Sequence, residues 1–317
     1  MTGAAAPPAE FAHPALFYGN DEEYLAGLVP FVTDGLALAQ PVAAAVPHAR
    51  LAALADALGA DAAQVTLIDM NEAGRNPGRI LAAVLHRFAD TYPDRHVRII
   101  AEAIWVGRSE IEYPACVQHE ALVNPSFLGR DGTIVCPYDL THLAPAILAD
   151  ARTTHPLLWE AAARYPSDHY APDDIIDRYN QPFPAGIDAA EILVASPADV
   201  PIARHTATAH ALRLGLAEDR LPDFELIVTE LITNSIEHAK SPCRLSIWRH
   251  VDYLACEVRD AGHITDPLAG RRPATAGQFR GRGLLLVHQL ADLVRTHTGP
   301  TGTSQYALLR LGGLDQF

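Results

Sequence analysis

The decapeptide ELITNSIEHA (230–239) sets a carboxylate, an amide and an imidazole four residues apart. On an α-helix Glu230, Asn234 and His238 share one face. Leu226, Ile227, Leu231 and Ile236 supply the apolar positions of a buried helix. Such side chains ligate cations, accept hydrogen bonds or move protons. Beside a core-facing stripe they are costly unless they meet a partner.

Two more features follow in the same half of the chain. Asp260 closes the run CEVRD and is followed by Ala261 and Gly262. GRGLLLV (281–287) brings two glycines to the start of a helical pattern. Each is ordinary alone: ExxxN also marks a solvated helix face, Asp-Ala-Gly a turn, and GRG a flexible helix entry.

The elements that must hold these residues fall into two grammars. In the first half ALFYG (15–19), PVAAAVP (41–47), VTLIDM (65–70), HVRIIAEAI (96–104) and TIVCPYD (133–139) read as buried strands. Helical periodicity separates them over 21–38, 48–59, 77–91 and 109–123. This alternation predicts a mostly parallel sheet covered by helices, with ligands beyond the carboxyl ends of the strands. Residues 143–180 begin helically and turn irregular. The Pro-, Ala- and Gly-rich stretch 181–201 contains the expected domain boundary. In the second half, helices over about 203–214 and 222–239 precede a hairpin of RLSIWRHV and YLACEVRD. A Gly- and Arg-rich loop (261–280), a helix over about 283–291 and two closing strands follow, predicting a two-layer α/β sandwich with a mixed sheet.

Composition narrows the chemistry. The net charge of −14 argues against a broad phosphate-binding surface, so direct nucleic-acid binding is not expected. Lys240 is the only lysine, which excludes a Lys-dependent phosphate loop and a lysine Schiff base elsewhere. Cys116, Cys136, Cys243 and Cys256 form no CxxC and suit a reducing compartment. No apolar run reaches the roughly 18–20 residues of a membrane span. The start MTGAAAPPAEFAHPA lacks the features of a secretion signal. Residues 1–11 are expected to be a disordered tail, and the protein cytoplasmic.

In their order and spacing, the features across roughly 200–312 resemble the Bergerat-type ATPases of histidine kinases, gyrases and Hsp90. They are most similar to the anti-sigma-factor serine kinases of Gram-positive bacteria. ELITNSIEHA looks like their N box, VRDAG like the first glycine box and GRGLLLV like the second. The resemblance implies ATP and Mg²⁺ as cofactors, with Asn234 as the Mg²⁺ ligand and Glu230 as general base. It implies that Asp260 receives the adenine amine and that Gly262 permits close approach to the base. Gly281 and Gly283 would present backbone amides to phosphate. Arg280 and Arg282 would add positive charge at the leaving group, and Thr303 a hydroxyl near adenine. His238 reads either as a phosphate contact or as a packed or solvated histidine. Ile264 stands where the first glycine box often has its second glycine, and His263 alters the lid entrance. The implied partner is an anti-anti-sigma (STAS-type) protein, a sigma factor or both, and family members often dimerise through this domain. A sensor histidine kinase would need a two-helix hairpin of about 60 residues ahead of the ATPase. The broken 181–201 stretch does not offer one. A scaffold that binds nucleotide without transferring phosphate, or an atypical sensor histidine kinase, stays open as the alternative reading.

The first half, with HPALFYG, DMNEAGRNPGRI, AEAIWVGRSEIEY, CVQHEALVN and CPYD, resembles the MEDS sensory domain, related to RecA-like α/β folds. The resemblance implies binding of a small molecule. Candidate pocket residues are Asn76, Arg79, Glu102, Trp105, Arg108, His119, Glu120 and Tyr138. Against them, Asn76 can simply cap a helix, Arg108 can pair with Glu112, and Trp105 can fill core. Cys116, His119, Cys136 and His142 have ligand types at C-x2-H and C-x5-H spacing, set against the usual role of buried cysteine as a small hydrophobe. The expected organisation is a tail (1–11), a three-layer α/β sensory domain (12–182), a linker (183–199) and a Bergerat-fold ATPase domain (200–317).

Overall fold

The computed structural model describes residues 10–161, 163–274 and 281–312. The chain forms two compact units: Met1–Arg75 with Ile80–Asp177, and Asn76–Arg79 with Arg178–Phe317.

The first unit carries eight strands: β1 (Phe11–Ala12), β2 (Pro14–Tyr18), β3 (Val42–Val46), β4 (Thr66–Asp69), β5 (Val97–Ala101), β6 (Gly132–Asp139), β7 (Leu157–Glu160) and β8 (Ala163–Pro166). Their order is β4-β3-β5-β6-β2-β7-β8, with β1 also paired to β6. Every pairing is parallel except β7 with β8. The Val- and Ala-rich β3 and the aromatic β2 are buried along their whole length, as parallel strands covered on both faces must be. The 143–180 stretch expected to turn irregular supplies β7 and β8. β7 lies beside β2 in the register Pro14 to Leu157, so its apolar residues meet a neighbour far away in sequence. Asn20 caps the helix Asp21–Ala37 by accepting from the Glu23 amide at 2.9 Å, and three acidic residues follow in the first turn. The carboxyl ends of β2 to β6 bring Tyr18, Asp69, Glu102 and Asp139 to one edge of the sheet.

The second unit carries β9 (Ala190–Val194), β10 (Cys243–His250), β11 (Tyr253–Asp260), β12 (Leu293–Gly299) and β13 (Gly302–Arg310) in the order β12-β13-β11-β10-β9. All four pairings are antiparallel, which corrects the expectation of a mixed sheet. β9 lies inside the expected linker. Its five residues pair with β10 from Cys243–Val194 to Ile247–Ala190, closing that side of the sheet. Helices Val200–Arg213 and Leu221–Asn234 lie over one sheet face. There Ala203, Ala207, Phe224, Ile227 and Leu231 pack with Leu245, Ile247, Cys256, Val258 and Leu309. Alternation along β10 and β11 sends every second residue into this core. On the opposite face Phe183 meets His250, Tyr306 and Trp248 at ring distances of 4.8, 5.8 and 6.4 Å.

Candidate functional site

In the second unit a cavity of about 490 Å³ opens between the end of the Leu221–Asn234 helix, the end of β11, the loop after it and the start of the helix Gly283–Leu290. Asn234, Asp260, Gly262, Gly281, Arg282, Gly283 and Thr303 all line it, as does His238. Glu230 is not among the lining residues. Arg280 lies outside the described residues.

The α-helix ends at Asn234 and continues as a π turn, Ser235–Ala239, which Lys240 closes in the left-handed region at φ 51°. Single π turns recur at functional sites because the extra residue redirects side chains. Glu230 and Asn234 lie on the helix before this turn and His238 within it, and Asn234 and His238 line the same cavity. The Asn234 Nδ2 is buried and has no hydrogen-bond partner. Its neighbour is Gly283: a Cβ there would lie 2.4 Å from the Glu230 Oε2 and 3.3 Å from the Asn234 Nδ2. Only glycine lets the second helix begin this close to the first. Among the described residues no side chain caps that helix, which leaves its first amides without a side-chain partner.

Asp260 is fixed at both oxygens. The Ser235 hydroxyl donates to Oδ2 at 2.6 Å and the Gly262 amide donates to Oδ1 at 2.7 Å. A carboxylate has about four acceptor sites, so lone pairs remain for a ligand. The Thr303 hydroxyl donates to the Gly262 carbonyl at 2.9 Å and accepts from the Ile264 amide at 3.3 Å, tying the glycine turn to β13. The Ile264 side chain, with Leu231, Leu284 and Leu285, makes part of the wall apolar. Asp266 and Arg272 pair across the loop, and the arginine holds the Asp266 carboxyl below its usual range. Burial, then the charge of Asp260, pushes the Cys243 thiol up to about 11, so it is not a nucleophile at neutral pH.

Sequence reasoning did not single out Ser235 or the Asp266–Arg272 pair. Ser235 follows Asn234 directly, and the signal was a hydroxyl one residue past the amide on a helix that ends there.

The residues proposed for a sensory pocket scatter. Trp105 and Arg108 line a second cavity of about 370 Å³ with Tyr113, His142 and Ile147. Arg108 stacks over Trp105 at 3.7 Å, and its guanidinium donates to the carbonyls of Gly74, Ala103 and Arg75. It also pairs with Glu112 at 3.6 Å. Arg108 is therefore largely engaged with the protein itself. Glu102 is buried, and burial pushes its carboxyl up to about 8, with Arg50 pulling it back down. Asn76 and Arg79 group with the second unit, where the Asn76 amide donates to the His288 carbonyl at 2.8 Å. His119, Glu120 and Tyr138 are buried, and Glu120 and Tyr138 lie around His155. The spacing-based set of Cys116, His119, Cys136 and His142 is not assembled. His142 is largely exposed and pairs with Asp139 at 2.9 Å.

A family model for the MEDS domain (methanogen/methylotroph, DcmR sensory domain) matches residues 12–156. A second, for the histidine kinase-like ATPase domain, matches residues 193–305. No curated protein matches the chain. Among solved structures, a chain from the SiaB–SiaC complex of Pseudomonas aeruginosa is similar over 37% of this chain and 88% of its own, at 14% identity and a TM-score of 0.31.

Proposed function

The chain joins an N-terminal MEDS sensory domain to a C-terminal histidine kinase-like ATPase domain, and from that premise we propose an ATP-dependent signalling kinase. It transfers phosphate to a serine or threonine of an anti-anti-sigma (STAS-type) partner, sequesters a sigma factor, or both. It acts in the cytoplasm under control of a small molecule bound by the first domain. Among the described residues no helix is long and apolar enough to cross a membrane.

The observation that carries this reading is the meeting of Asn234, Asp260 and the uncapped Gly283 helix around one cavity. The residues fit Mg-ATP. Asp260 has acceptor capacity left for an exocyclic amine, and the apolar wall suits a flat base. The first amides of the Gly283–Leu290 helix suit phosphate. Asn234 has an amide oxygen for a hard cation and an Nδ2 without a partner. Bound Mg-ATP would supply the phosphoryl group and the charge that stabilises its transfer. The chain's own part is positioning. Ser235 and Gly262 hold the Asp260 carboxylate and Thr303 holds the glycine turn, and in this reading Glu230, beside Gly283, would accept a proton from the hydroxyl that is phosphorylated.

A nucleotide-binding scaffold without phosphoryl transfer is the second reading. It is favoured by the absence of Glu230 from the cavity wall and by Ile264 in place of a glycine. Titration calorimetry of the full chain with Mg-ATP, on wild type, Asn234→Ala and Asp260→Ala, tests the site. Each variant should bind at least about tenfold more weakly, a loss of ~1.4 kcal/mol; unaltered binding in both rejects the assignment. Transfer of labelled phosphate from ATP to a purified STAS-type protein separates kinase from scaffold.

A further inference from the structure

In the first unit four chemically matched side chains converge from separate elements. His13 immediately precedes β2, Glu120 sits on the helix Tyr113–Ser126, Cys136 lies within β6, and His155 falls between the helix Pro145–Thr154 and β7. One ligand atom from each lies within 4.8 Å of all the others, and all four residues are buried. The His13 Nε2 is 3.3 Å from the Cys136 Sγ and 3.5 Å from the Glu120 Oε2, and the His155 Nε2 is 3.5 Å from the same oxygen. A tetrahedral ion with bonds of about 2.0–2.3 Å needs its ligands roughly 3.3–3.8 Å apart. We propose that His13, Glu120, Cys136 and His155 form a closed transition-metal site, for which Zn²⁺ is the best-matched ion.

Two further observations support the site. The Glu120 Oε2 and the His155 Nε2 are buried with no hydrogen-bond partner, and each faces the other. The Nδ1–H of His155 donates to the Ala151 carbonyl at 2.9 Å, so Nε2 is the ring nitrogen left for an ion in the cluster. A carbonyl that accepts from the other ring nitrogen and fixes the ring's orientation is the usual companion of a metal-bound imidazole.

Charge balance points the same way. Binding a dication releases the Cys136 proton to solvent. It leaves two neutral imidazoles, one carboxylate and one thiolate around a double positive charge, for a net of zero. A neutral, fully ligated centre is what a buried location tolerates. Two histidines, a thiolate and a carboxylate in tetrahedral proximity suit Zn²⁺ and its substitute Co²⁺ better than Mg²⁺ or Ca²⁺. With all four positions filled from the chain, the ion would be structural, joining β6 and the start of β2 to two helices.

The test uses full-length protein without a histidine tag, purified without chelators. Elemental analysis should give about one zinc per chain. After metal stripping, titration with Co²⁺ should produce the visible bands of a tetrahedral ion and a near-ultraviolet thiolate-to-cobalt band. Cys136→Ser should abolish the thiolate band. His155→Ala should weaken Co²⁺ binding more than about 100-fold, because even an outer-shell partner costs about 10–100-fold. His142→Ala should leave both unchanged, and circular dichroism checks that each variant is folded. The wild-type titration decides the matter even if a variant fails to fold. Metal-free protein that gives no cobalt spectrum overturns the site, as does a thiolate band that persists in Cys136→Ser.

Discussion

Gly283 and Glu230 face each other so closely that a single methyl group would separate them, since a Cβ on Gly283 would stand 2.4 Å from the carboxylate Oε2. This contact sets how near the Gly283–Leu290 helix comes to the end of the Leu221–Asn234 helix. Gly283→Ala must displace the glutamate or the helix start. Mg-ATP affinity should fall by about tenfold or more, ~1.4 kcal/mol, while the far-ultraviolet spectrum stays that of a folded chain. A Gly283→Ala protein that binds nucleotide normally would show that this approach is not part of the site.

Ser235 donates a 2.6 Å hydrogen bond to Asp260. A bond to a charged acceptor contributes about 1.5–3 kcal/mol. Ser235→Ala should lower stability to denaturant by about that amount and also loosen the carboxylate that faces the cavity. The expected readout is a weaker preference for ATP over GTP, measured by competition. A variant that loses stability but keeps full base discrimination would make Ser235 a folding residue only.

Glu102 gives a pH dependence of definite sign. Burial raises its carboxyl from 4.5 to about 8. Between those values the unfolded chain has released a proton that the folded chain keeps. Its favourable share of stability is therefore full below pH 4.5 and declines as pH rises to about 8. Glu102→Gln removes the decline. Relative to wild type it should gain stability at pH 8 over pH 5, by a few kcal/mol at most given ~1.4 kcal/mol per unit. Denaturant melts at the two pH values measure this, and parallel pH profiles for the two proteins would refute it.

β9 closes the sheet beside β10. A fragment beginning at residue 200 would leave Cys243–His250 with an unpaired row of backbone groups, an invitation to edge-to-edge association. It should melt lower and aggregate more than a fragment beginning at residue 178. Equal thermal stability of the two would mean the strand is dispensable.

Much of the candidate nucleotide site was legible because its residues lie in short local patterns. Asn234, Asp260 and Gly283 each sit within a handful of residues of a helix or strand end that the hydrophobic pattern marks. Ser235 escaped because its partner is 25 residues away on β11. β9 escaped because Pro, Ala and Gly on both sides mask a five-residue alternation that gains stability only from β10. The sheet of the first unit was readable as β-α alternation, but β7 and β8 were not, since their apolar residues are explained only by pairing beside β2. The metal-type cluster was the least legible part. His13 and Cys136 are 123 positions apart, and ligand spacing in sequence instead suggested Cys116, His119 and His142, which the fold does not gather.

Lys240 closes the π turn one residue beyond Ala239, a wall residue of the cavity, and its side chain is exposed. It is the sole lysine of the chain. Once the more acidic α-ammonium has been blocked by acylation near neutral pH, a dye acylating at higher pH would therefore mark one lysine amine at the rim of the cleft. The fold thus offers a ready fluorescence handle for following occupancy without introducing a cysteine or altering any residue.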